Sequence, residues 1–190
     1  MRNITFFMLS ALALNASASA APDQTSPVDI STARASLNGK WEGTLEYLDY
    51  SANKWFGIPV KTNIEDQGDN ATTIRQSDFD DGPTTGNVRI TSVELFDAAA
   101  GTVTTGTFRK GREASITTYA VRMEGMSDNS LRWTMIEEVK AEDDNRPAML
   151  RETTMRDGNN VETLKQVDFL DDDKKEWISR NRTKLTKVSD

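Results

Sequence analysis

The 190-residue sequence has neither cysteine nor histidine. The two absences exclude much chemistry. Without them there is no Ser-His-Asp or Cys-His nucleophile, no ordinary zinc site, and no haem held through His or Cys. No disulfide can staple the fold and no lipid can be attached through a thiol, so stability must come from the core. Long apolar runs are also lacking beyond the first 14 residues. Basic residues are outnumbered, 23 Lys and Arg against 30 Asp and Glu. An acidic chain lacks the clustered cations that nucleic acid or an anionic membrane surface requires. What remains is carboxylate, lysine, tyrosine and serine chemistry, or binding without chemistry. No cofactor or metal site is expected.

The N-terminus reads as an export signal. Met1-Arg2-Asn3 carries one positive charge. Ile4 to Leu14 is apolar except for Thr5 and Ser10. Ala18-Ser19-Ala20 presents the small residues a signal peptidase needs, with cleavage expected near Ala20. The run is too short for a transmembrane anchor, which takes roughly 20 apolar residues. Removing residues 1–20 takes away Arg2 and no acid, so the net charge goes from -7 to -8. The expected location is periplasmic or secreted, with no membrane insertion.

Residues 21–36 are small and polar and read as a tether in which Asp29 or Ser31 caps a short helix. From residue 37 to 190 the pattern changes to one domain of short strands. Ten candidates are 39–50, 54–65, 71–77, 86–96, 101–109, 112–124, 130–140, 147–156, 160–169 and 176–187. Gly, Asn and Asp clusters separate them. Lys110-Gly111 and Asp157-Gly158 suit tight hairpins. Spacing of this kind predicts an all-β fold, an antiparallel meander closed as a barrel or folded as a sandwich.

Alternation assigns faces. The expected inward rows are Trp41, Gly43, Leu45 and Tyr47; Phe56, Ile58, Val60 and Ile64; Tyr119, Val121 and Met123; Leu131, Trp133, Met135, Glu137 and Val139; Met149, Arg151, Thr153 and Met155; and Val161, Lys165, Val167 and Phe169. Several of these apolar rows contain one charged residue. A dry core avoids an unpaired charge, whereas a hydrated or ligand-filled interior tolerates it.

The segment Leu37-Asn38-Gly39-Lys40-Trp41-Glu42-Gly43 resembles the Gly-x-Trp start of calycin barrels, the group of lipocalins, fatty-acid-binding proteins and nitrobindin-like proteins. The resemblance implies an antiparallel up-and-down barrel of about 8–10 strands. It also implies that Trp41 plugs the floor under an arginine of the last strand, here Arg180 or Arg182. It covers nearly the whole exported chain in layout but about six residues in motif. The Thr-Asp-Tyr element of typical lipocalins is missing, as is the histidine through which nitrobindin-like proteins hold haem.

Other constellations have two readings each. If Arg151, Tyr119, Lys165 and Glu137 face inward, Arg151 with Tyr119 could hold a ligand carboxylate; alternatively Arg and Glu of adjacent strands form an internal ion pair, or these residues face solvent. Phe56, Met123, Trp133 and Met135, with Trp55, Met126, Met149 and Met155, could line an adaptable pocket or simply fill the core. Asp78-Phe79-Asp80-Asp81-Gly82 lacks the distal Glu of a calcium loop and reads as an acidic turn.

The leading expectation is therefore an exported lipocalin-like barrel binding a small apolar or amphipathic molecule between hydrophobic walls. One alternative is a filled barrel acting on a protein partner as an envelope interaction or inhibitor module. The other is a His/Cys-independent isomerase or cyclase, which a perturbed carboxylate inside the cavity would favour.

Overall fold

The computed structural model describes residues 28–189. The expected signal peptide and most of the tether lie outside the described residues.

Helix α1 (Ile30–Ala35) comes first. Its N-cap is Asp29, whose carboxylate accepts the Thr32 amide at 2.8 Å and the Ser31 and Thr32 hydroxyls at 2.7 and 3.0 Å. A capping Asp satisfies amide donors that the first helical turn leaves without partners. The strands then run β1 (Gly39–Asp49), β2 (Lys54–Asp66), β3 (Thr72–Asp80), β4 (Asn87–Asp97), β5 (Thr102–Arg109), β6 (Ser115–Asn129), β7 (Arg132–Asp143), β8 (Arg146–Asp157), β9 (Asn160–Phe169) and β10 (Ile178–Ser189). One helical turn, α2 (Gly82–Thr85), joins β3 to β4. Gly111 and Gly158 take φ of 74° and 61°, the left-handed region their turns require.

Each strand pairs antiparallel with its chain neighbours, and β10 pairs with β1 to close the barrel. The fold is thus an up-and-down barrel of ten strands, matching the expected all-β meander. At the closing seam, Gly43 lies opposite Leu185, and a Cβ on it would fall 1.8 Å from the Lys184 carbonyl oxygen. Only glycine lets β10 lie this close to β1.

Alternate turns of a meander lie at the same end. Those after β1, β3, β5, β7 and β9 form the mouth, and α1 and the remaining turns form the floor. The floor is a dry core. Ala33 and Leu37 from the N-terminal segment pack with Trp41, Val60, Ile64, Val103, Val121, Trp133, Met135, Val161 and Leu185. Trp41 is 1% exposed and donates its indole N–H to the Leu37 carbonyl at 2.8 Å. Trp133 donates to the Ser36 hydroxyl and the Ser130 carbonyl at 3.2 and 3.1 Å. A smaller apolar cluster, Ala148, Val167 and Phe169 with Leu150 and Ile178, sits nearer the mouth.

The partner of Trp41 differs from the one the resemblance implied. Arg156 of β8 lies 5.5 Å from the Trp41 ring centroid, and Lys187 of β10 lies 5.7 Å away. Arg156 also donates to the carbonyls of Ser36 and Gly158, tying α1 to the β8–β9 turn. Arg180 instead pairs with Asp143 and Asp144, and Arg182 pairs with Glu46 and stacks on Trp55 at 4.2 Å. The reason is parity: Leu185 and Lys187 are the inward residues at the floor end of β10, whereas Arg182 falls on the same face as Glu46, opposite to that of Trp41.

Candidate functional site

Between the floor and the mouth lies an internal cavity of about 270 Å³. This is just under the ~300 Å³ at which drug-sized pockets begin. Its walls are largely hydroxyls, contributed by Thr62, Ser77, Ser92, Thr105, Thr154 and Thr163 among others. Two hydroxyl pairs satisfy each other across strands: Thr62 with Ser77 at 2.9 Å, and Thr154 with Thr163 at 3.1 Å. The expected hydrophobic walls are therefore not what the middle of the barrel has. Nor is it the filled interior of the interaction-module alternative.

A belt of charge crosses this space. Arg34 projects from α1 and reaches Glu94 of β4 at 2.8 Å, and Arg75 of β3 reaches the same carboxylate at 3.3 Å. Burial works against the charge of Glu94, yet the two guanidinium groups hold its carboxyl below the ordinary range. Arg34 comes only to 3.5 Å of Glu137 on β7. Burial, reinforced by the negative charges of Glu94 and Glu152, pushes the Glu137 carboxyl up to about 7 despite Arg34. The Tyr119 phenol is raised to about 12, first by burial and then by Glu152 and Glu137. Glu152 of β8 faces Lys165 of β9 at 4.0 Å.

Of the residues singled out in the sequence, Tyr119 and Met135 line the cavity. Trp133 and Met123 belong to the floor core. Phe56 keeps its inward parity, but β2 runs past the wall at the mouth; Phe56 is 58% exposed and stacks on Tyr47 at 5.7 Å. Arg151 is a correction. It lies on the outer face, bonded to Glu138 at 2.7 Å and stacked on Trp177 at 3.8 Å. The inward row of β8 is Ala148, Leu150, Glu152, Thr154 and Arg156, not the Met149–Met155 row. A one-residue change of parity moves every side chain of a strand to the other face.

Arg34, Arg75, Glu94 and Glu152 were not singled out. The signal that could have found three of them is the one used elsewhere: a single charge inside an otherwise inward row, as in Thr73-x-Arg75-x-Ser77-x-Phe79 and Ile90-x-Ser92-x-Glu94-x-Phe96. Arg34 carried no such signal, because its segment read as a tether.

These features define the class as a closed antiparallel barrel with a polar interior. No family model matches the sequence, and no curated protein matches it. The fold is similar to the crystal structure of Rv2717c from M. tuberculosis, with a TM-score of 0.56 and 10% sequence identity, over 85% of this chain and 99% of that one. At that identity the likeness is one of fold.

Proposed function

We propose that this is an exported barrel that binds a small amphipathic molecule in its interior, for transport or sequestration outside the cytoplasm. The observation carrying this reading is the 270 Å³ cavity, onto which polar groups from many strands converge. A cavity that serves only stability is normally filled with side chains to native density. The lining favours an amphipathic over a purely apolar ligand. Hydroxyls and charges would orient it, and the apolar cluster toward the mouth would cover its hydrocarbon part.

Native mass spectrometry of the protein purified from its own host tests the reading. A bound mass that is released on denaturation is the expected result. Only the bare chain, with no small molecule recovered on denaturation, counts against it.

One observation favours a second reading. Glu137 combines a position on the cavity with a carboxyl raised to about 7, where it could both give and take a proton near neutrality. That is the feature expected of the His-independent enzyme alternative. Recovery of a chemically altered molecule after incubation with the released ligand would support it over carriage.

A further inference from the structure

We infer that the cavity receives an organic cation, an ammonium or guanidinium group seated between the carboxylates of Glu137 and Glu152. The inference rests on the small-molecule reading and gives that ligand its charge.

The argument begins with the distribution of charge around the cavity. The charged groups lining it are Arg34 from α1, Arg75 from β3, Glu94 from β4, Glu137 from β7 and Glu152 from β8, with Lys165 of β9 beside Glu152. Tyr119 from β6 completes the titratable set. Arg34 and Arg75 both converge on Glu94, which is thereby doubly paired. Glu137 is left with one approach at 3.5 Å and Glu152 with one at 4.0 Å. Among the described residues neither carboxylate accepts a hydrogen bond from a protein group.

These two carboxylates are also register partners, Glu137 directly opposite Glu152 on β7 and β8. Opposed residues on one face of an antiparallel pair have Cβ atoms about 5 Å apart, and like charges in that arrangement repel. On an outer surface water would screen the pair. Here Glu137 is 17% exposed at its side chain and lines the cavity. Each carboxylate has a single cation, no nearer than 3.5 Å, and two opposed carboxylates facing an internal space are further stabilised by a cation placed between them.

The alternatives fit less well. An anionic ligand would add a third negative charge beside the pair, and both cavity arginines are already engaged. A metal ion would need more ligands than are present: no group of three His, Cys, Asp or Glu side chains among the described residues could hold one. An organic cation needs only the two carboxylates, and the surrounding hydroxyls suit the rest of a compact polar molecule.

The test is calorimetric titration of the exported full-length chain with benzylamine and agmatine as cations, benzyl alcohol as the neutral isostere and benzoate as the anion. Saturable binding of the cations alone is expected. Affinity is expected to be several-fold weaker at pH 6 than at pH 8, as Glu137 gains its proton. E137Q and E152Q are each expected to weaken binding about tenfold, by removing one charge of the pair. E138Q, which changes the neighbouring residue on the outer face, is the control and is expected to leave binding unchanged. Thermal melts verify that each variant is folded. Binding of benzyl alcohol or benzoate in preference to the amines overturns the inference and leaves the small-molecule reading standing. So does amine binding that E137Q and E152Q do not alter. If none of the four probes binds, the inference fails, and the broader reading then turns on the native mass spectrum.

Discussion

Glu137 concentrates the tension inside this barrel. Its carboxyl is raised to about 7 by burial and by Glu94 and Glu152, whereas an unfolded glutamate titrates near 4.5. Between those values the folded chain binds more protons than the unfolded one. Stability therefore falls as pH rises through this window and levels off above about 7. The cost when fully ionised is on the order of 3 kcal/mol. E137Q is expected to remove the slope and to raise the melting temperature at pH 8 while changing little at pH 4.5. Thermal melts at pH 4.5, 6, 7 and 8 on both proteins check this. Equal pH dependence in the variant would show that Glu137 is not the source. The carboxyl of Glu94 behaves in the opposite sense. Held low by its two arginines, it contributes stability that is lost as pH falls through its depressed value.

At the scale of elements, α1 is the unexpected participant. Its six residues are capped by Asp29, buried through Ala33 and bound at the C-terminal end by Arg156 and Trp133. It closes the floor and delivers Arg34, at 6% side-chain exposure, into the charge belt. Breaking a buried ion pair by removing one partner typically costs about 3–5 kcal/mol, because the other charge stays behind. Arg34→Met is expected to lower the unfolding free energy by that order, seen as a lower urea midpoint, since Glu94 would keep only Arg75 and Glu137 would lose its cation. Adding Glu94→Gln is expected to recover part of the loss. An unchanged midpoint in the single variant would mean that α1 rests on the barrel without anchoring the belt. The strands themselves illustrate how much of the fold was readable. Ten strands were expected within a few residues of their observed ends, because turn chemistry marks the breaks. The inward rows of β1, β2, β6 and β7 also followed from alternation. The row of β8 did not. Met149–Met155 carries more apolar bulk than Ala148–Arg156, yet the second row faces in, since Arg156 is needed at the floor against Trp41 and Ser36.

The whole molecule depends on closure. With β10 paired to β1, every strand among the described residues has a partner on both sides. A chain ending at Trp177 would open both β1 and β9, each with a full row of unpaired backbone groups. That truncation is expected to aggregate on expression or elute as oligomers in size-exclusion chromatography; a soluble monomer would contradict the role assigned to the seam. Closure also makes the cavity possible. An open sheet would leave Glu94, Glu137 and Glu152 in water, where their mutual repulsion would be screened and their charges would cost little.

By itself the sequence determined the ten strands, a capped helix with Asp29 or Ser31 at its start, the turn positions and the chemistry that absent cysteine and histidine forbid. Each of these is a local property, set by neighbours along the chain. Only the tertiary structure decided which arginine meets Trp41, which face of β8 points inward, and that Arg34 of the supposed tether belongs to the interior. These follow from where strands meet across a closed barrel. A period of two is equally satisfied by either face of a strand whose rows are similar in polarity, so long-range packing makes the choice.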